Sequence, residues 1–248
     1  MSLTVSDSGS TDFAQLPVGI YEGVCARLYD FGQQDNTYNG ETKKRQELFI
    51  AFEITKAIDP ADNVVLMEDG RPFMVGRTVT ASLAEKAALR SMLEAWRGKA
   101  FTEQELQGFD VGNLLGLNAR LEIGHTKPTA EYAGGKPKII SVNRPDGGAQ
   151  QLPTVNPQEK FDLDLYLDNH RGTPTAASKS MADIFEGMSD WHQNKVQDSY
   201  DYKAVVGTPA GSMAAEVGEL TDQAAAIMNP PVEEQEPSVG TPNPKIPF

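Results

Sequence analysis

Between residues 19 and 31, Ile20, Val24, Ala26 and Leu28 alternate with Tyr21, Gly23, Cys25, Arg27 and Tyr29. A period of two predicts a strand with one set of side chains on a core and the other on a surface. Gly19 and Gly23 suit a strongly bent strand. The alternation is cleaner over residues 46–55. There Leu48, Ile50, Phe52 and Ile54 share one face, and Glu47, Phe49, Ala51 and Glu53 share the other. Phe49 is therefore expected opposite the core set. A third strand is predicted over 72–81, where Phe73, Val75, Arg77 and Val79 have the same parity.

The period then changes to that of a helix. In residues 82–96, SLAEKAALRSMLEAW, Ser82 and Glu85 form a capping box, and Leu89, Met92, Leu93 and Trp96 make one apolar stripe. Gly98, between Arg97 and Lys99, is a natural stop. Thr102 and Glu105 give a second capping box, for a short helix ended by Gly108. Strands return over 115–125, with Leu117, Ala119, Leu121 and Ile123 inward and Arg120 outward, and over 136–142. The connections carry turn signals: residues 33–45 with Asn39-Gly40, residues 59–70, and residues 126–135 with Tyr132. The order β-β-β-α-β-β predicts a mainly β chain, a five-stranded OB-fold barrel with the helix as a plug at one end. In such a barrel Arg77 is either a barrel-end residue or a sign of shifted register.

After Asn143 the texture changes. Residues 144–157 read as a linker. The last dense apolar groups are FDLDLYL (161–167) and residues 180–196, where Met181, Ile184, Phe185, Met188 and Trp191 fit a short amphipathic helix. From Gly207 the chain is rich in Ala, Gly, Pro and acid. The expected organisation is a flexible N-terminus (1–15), an OB-fold domain (16–145), a linker with a short amphipathic helix (146–206) and a disordered acidic tail (207–248).

Charge supports this division. The net charge of the 248 residues is −13, but residues 1–145 hold 16 Lys/Arg against 19 Asp/Glu, and residues 146–248 hold 6 against 16. An acidic second part is usual for a solvated tail. It disfavours non-specific duplex binding by the whole molecule and leaves a local basic groove open. The single cysteine, Cys25, excludes an internal disulfide and a thiolate zinc cluster. The N-terminal MSLTVSDSGSTDF lacks the basic and apolar regions of a signal peptide. No apolar run approaches about 18 residues. A cytoplasmic location is expected.

Enzymatic chemistry has little to stand on. His125, His170 and His192 are far apart, and no phosphate-loop, G-x-S-x-G or H-E-x-x-H pattern occurs. The carboxylates of FDLDLYLD read as an acidic linker sooner than as a metal site. No catalytic residue, metal or cofactor is expected. Binding is better served. OB barrels hold single strands with a positive groove and exposed aromatics, which stack on any base at about 1–3 kcal/mol each. The candidates are Arg27, Tyr29, Tyr38, Lys43, Lys44, Arg45, Phe49, Arg77, Arg120, Tyr132, Lys136 and Lys138. Each has a plainer role open to it, as solvated charge, edge packing or cover for a hairpin.

The chain ends Lys245-Ile246-Pro247-Phe248 after a Pro-rich acidic stretch. A terminal Phe presents an apolar ring and a free carboxylate together, which an apolar pocket with a cation can capture. Ile246, Pro247 and Phe248 resemble the C-terminal tip of bacterial single-stranded DNA-binding proteins, which recruits replication, recombination and repair proteins. The acids that directly precede the tip in that family are replaced here by Lys245 and Asn243, and the nearest carboxylate is Glu236. The body resembles OB-fold single-stranded DNA-binding proteins of bacteriophages. The resemblance lies in LPVGIY (16–21), ASLAEKAAL (81–89), WRGKAF (96–101), GFD (108–110), FDLD (161–164) and residues 191–200, and it spans residues 16–203. It implies sequence-independent binding and protection of single-stranded DNA in phage replication or recombination, in the host cytoplasm, with the tip recruiting partners. The alternative is an OB-fold adaptor that binds another protein of such a complex and has little affinity for DNA.

Overall fold

The computed structural model describes residues 15–38, 40–129 and 134–207, with the side chain of Tyr38 left out. The chain is mainly β. Strands β1 (Gly19–Tyr38), β2 (Glu41–Asp59), β3 (Met74–Thr80), β4 (Asn118–His125) and β5 (Pro137–Asn143) form an antiparallel sheet in the order β3-β2-β1-β4-β5. Between β3 and β4 lie helices α1 (Ala88–Arg97) and α2 (Glu103–Gln107) and a 3-10 turn at Val111–Leu114. No ladder joins β3 to β5 among the described residues, so the sheet is not closed by hydrogen bonds.

The alternation of β2 places Ile50, Phe52 and Ile54 in the main core, with Leu48 packed at its edge. β3 obeys its register: Phe73, Val75 and Val79 are buried in the same core, and Arg77, of the same parity and opposite Ile50, is half-buried. β1 departs from simple alternation. The register shifts between Cys25 and Arg27, so Tyr21 and Cys25 point to the main core before the bulge and Leu28 after it. A bulge adds one residue to a strand and reverses which parity faces inward.

Helix α1 presents Leu89, Met92, Leu93 and Trp96 to this core. The Trp96 ring lies 5.2 Å from Phe52, and its indole N–H donates to the Asn118 carbonyl at 2.8 Å. The helix ends at Gly98 as expected but starts later than expected. The Ser82 hydroxyl accepts from the Ala84 N–H at 3.2 Å in a local turn, and the helix begins at Ala88, with Ala87 as an N-cap that makes no side-chain bond. Ser82 thus satisfies a turn and not a helix start. The Thr102–Glu105 box caps α2 as expected.

Residues 33–45 are not a loop. They continue β1 and open β2, and the ladder runs out to Tyr38↔Glu41. Gly40, at φ 79°, takes the left-handed conformation that a tight hairpin turn requires. The result is a long two-stranded arm.

Residues 146–206 carry more order than their composition suggests. They hold β6 (Glu159–Phe161) and helices α3 (Leu163–Asp168), α4 (Ala176–Gly187), α5 (Asp190–Asp198) and α6 (Tyr200–Val206). β6 adds in parallel to β1 at Arg27, Leu28 and Tyr29. The helices build a second core on the outer face of β1: Tyr29, Phe31, Phe161, Leu163, Tyr166, Leu167, Phe185, Met188, Val196 and Tyr202. The middle of β1 is therefore buried on both faces. Full burial of one such side chain is worth about 1.5–3 kcal/mol, so this layer contributes substantially to stability. No described helix is long and apolar enough to cross a membrane.

Candidate functional site

The basic triplet lies on the arm. Lys43, Lys44 and Arg45 pair with Asn36, Asp35 and Gln34 across the ladder, and all three are exposed. Residues two apart on a strand share a face about 7 Å apart, so Lys43 and Arg45 point one way and Lys44 the other. The Lys43 ammonium is 2.8 Å from Glu41 Oε2. Lys44 Nζ sits 3.4 Å above the Tyr200 ring of α6. Arg45 has no ion pair among the described residues.

Arg27, Tyr29 and Phe49 also meet, but under cover. The Tyr29 and Phe49 rings stack at 5.8 Å, as the ladder pair Tyr29↔Phe49 requires. Phe161 of β6 and His192 of α5 meet Tyr29 edge-on, and its hydroxyl donates to Glu159. Burial, and then Glu159, push the phenol well above its usual range. Arg27 Nε lies 3.2 Å from the same Glu159 oxygen. Phe49 packs over Gly76, where a Cβ would come within 2.3 Å of its ring. Its other neighbours are Phe31, Trp191 and His192, the last at 4.5 Å. Among these rings, burial holds the His192 imidazole down at about 4, with Arg27 adding to the effect.

The remaining candidates are spread over other strands. Arg77 is on β3, where burial lowers its pKa. Arg120 on β4 stands between Glu22 of β1 and Asn143 of β5, with its guanidinium 4.0 Å from Asp146. Lys138 on β5 pairs with Gly124, and the Lys136 backbone N–H donates to the Thr126 hydroxyl at 2.8 Å. These last three belong to the β4–β5 hairpin, which flanks β1 on the edge away from β2. The Tyr38 side chain, Tyr132, Ile246, Pro247 and Phe248 lie outside the described residues.

Sequence reasoning missed the part that the helices after β5 play here. Trp191 and Tyr200 are exposed, at 47% and 37%. The stripe drawn through residues 180–196 as one helix put Trp191 on a buried face. The helix breaks at Met188 and restarts at Asp190, so Trp191 falls out of phase with Phe185 and Met188. The available signal was Ser189-Asp190, a helix-start pair just before the Trp.

A mostly apolar cleft of ≈ 180 Å³ lies beside this face, between Leu28, Leu48, Val111 and Phe161, with Lys160 and Asp162 among its polar lining. Cys25 is buried, and burial raises its thiol far above the reactive range. No group of three or more His, Cys, Asp or Glu side chains able to hold a metal ion occurs among the described residues. Compared with known proteins, the chain matches no family model and no curated relative.

Proposed function

We propose that this chain is an OB-fold protein that binds single-stranded DNA without sequence preference and protects it during replication or recombination, as the resemblance to phage proteins implies. The observation that carries the reading is the arm: three adjacent cations, all exposed, on a hairpin that projects from a sheet of order β3-β2-β1-β4-β5. That strand order, with a helix between β3 and β4, is the one an OB barrel needs, the β3–β5 seam being its closing edge. Cations on such an arm neutralise phosphates and release counterions, which makes binding salt-dependent and indifferent to sequence. Arg120, Lys136 and Lys138 extend the same chemistry on the β4–β5 hairpin. The tip Ile246-Pro247-Phe248 would recruit partner proteins.

Fluorescence anisotropy of a labelled oligo-dT, titrated in rising salt beside a duplex of equal length, tests this. The single strand should bind more tightly, with log K falling linearly in log salt. Equal affinity for duplex, or no salt dependence, overturns the reading.

One observation favours the adaptor reading. Tyr29 and Phe49, on the strand face where a barrel of this kind would stack bases, are covered by β6 and α5. In that case the arm contacts an acidic protein surface, and oligo-dT binds weakly at every salt concentration.

A further inference from the structure

We propose that the bases of the bound strand stack on Trp191 and Tyr200, on the two helices that follow the barrel, and not on the barrel's own Tyr29. This rests on the single-strand reading above and names where the strand lies. Both rings are exposed, and both are fixed to the β1–β2 ladder, Trp191 at the base of the arm and Tyr200 on it. Trp191 meets Phe31 edge-on at 5.8 Å and Phe49 at 6.5 Å. One turn further along α5, the Lys195 ammonium is 3.2 Å from Glu47 Oε2 on β2. The Tyr200 hydroxyl donates to the Asp35 carboxylate, 2.9 Å from each oxygen, and Lys44 covers one face of the ring. Trp191 therefore stands level with Phe49, and Tyr200 level with Lys44. Five residues of β2 separate those levels, about 17 Å at the rise of a strand.

Three carboxylates along the arm are already engaged, while Asp190 and Asp201, next to the two rings, have no ion pair among the described residues. Glu41, Glu47 and Asp35 are engaged by Lys43, Lys195 and Tyr200 respectively. Arg45, between these two levels of β2 and on the face away from Lys44, has no ion pair among the described residues and is exposed. Trp191 and Arg45 lie on one face of β2, and Tyr200 with the Lys44 ammonium lies on the other, so aromatic and cationic groups line both sides of the arm. That is the composition a single strand requires: π-faces for bases and cations for phosphates. A neutral apolar peptide would leave Arg45 and Lys44 unpaired.

The chain has only two tryptophans, and this makes a direct test possible. Trp96 is 2% exposed, with its indole N–H bonded inside the core. Any quenching of tryptophan emission by oligo-dT thus reports on Trp191. The full chain should show saturable quenching that follows anisotropy at the same concentrations. Trp191→Ala should weaken oligo-dT binding about 5- to 150-fold, the range expected for one lost base stack, with Trp191→Phe restoring most of it. Tyr200→Ala should act in the same direction. Thermal melting checks that the variants fold, and wild-type quenching stands whether or not they do. Binding by anisotropy with no quenching, and unchanged affinity in a folded Trp191→Ala, overturns this placement and leaves the general function intact. No binding of oligo-dT by either readout overturns both.

Discussion

Glu53 and Asn156 are bonded twice: Glu53 Oε2 accepts from the Asn156 backbone N–H and from its side-chain amide, each at 2.7 Å. The other oxygen accepts from the Val155 N–H at 2.8 Å. Glu53 is 2% exposed, so this buried carboxylate is matched by three donors from a segment about a hundred residues away. It clamps residues 155 and 156 to the outside of β2, just before β6 joins β1. Charge-assisted bonds of this kind are worth about 1.5–3 kcal/mol each, and are not additive. Glu53→Gln replaces one acceptor with a donor facing a backbone N–H. It should lower stability by about 2–3 kcal/mol, read as a fall in the urea midpoint. A midpoint within experimental scatter of wild type would show that the clamp is dispensable.

Gly32 makes a second, backbone-based prediction. It sits at φ 72°, where a Cβ would lie 2.6 Å from Leu163 Cδ2, 2.7 Å from Asp201 Oδ2 and 2.9 Å from Ser199 Cβ. Conformation and space both exclude a side chain. Gly32→Ala should cost about 2–4 kcal/mol and loosen α3 and α6 from β1 first. Hydrogen exchange should show faster loss of protection at Gln33, whose N–H donates to Asp201 at 2.6 Å. Protection equal to wild type would refute it.

These two sites mark where the chain was legible and where it was not. Leu48, Ile50 and Phe52 lie where β2 pairs with β3 in unbroken register, so parity alone located the core. On β1 the bulge at Ala26 reverses parity, and no residue pattern announces it. Phe161, Leu163, Leu165 and Leu167 have a period of two, but Asp162 caps a helix by accepting from the Leu165 N–H, and Leu163, Tyr166 and Leu167 then fall on its buried side. Residues 146–206 are polar because one narrow face of each short helix carries the whole apolar contact. For the same reason the cover on Tyr29 and Phe49 could not be read. It comes from residues more than a hundred positions later, and linker-like composition masks it.

His192 predicts a pH dependence. Its imidazole, packed against Phe49 and Phe31 with Nδ1 2.7 Å from the Ser189 hydroxyl, is held at about 4 against an ordinary value near 6.5. A histidine whose folded value is depressed binds its proton more readily when unfolded. Its contribution is complete above about pH 6.5 and is lost as pH falls through about 4. The ring is part-exposed, so after solvent screening the effect is about 1 kcal/mol. Melting temperatures at pH 7.5 and 5.0 should fall further apart in wild type than in His192→Asn. Equal differences in the two proteins would remove His192 as the cause.

The arm yields the prediction that separates nucleic acid from protein as its partner. Lys43, Lys44 and Arg45 are exposed, so neutral replacement should leave the melting temperature almost unchanged. Lys44 also covers Tyr200, which makes glutamine a cleaner choice than glutamate, because a carboxylate there would repel Asp35 as well. Each phosphate contact on a single strand contributes about 0.7 to the slope of log K against log salt. The triple variant Lys43→Gln, Lys44→Gln, Arg45→Gln should therefore reduce that slope by about 2. Its affinity for oligo-dT should fall at low salt and converge on wild type as salt rises. Loss of affinity with an unchanged slope would mean that these cations act through the arm's conformation and not on phosphates. An unchanged affinity would move the strand off the arm altogether, because no other stretch of the chain sets three cations side by side.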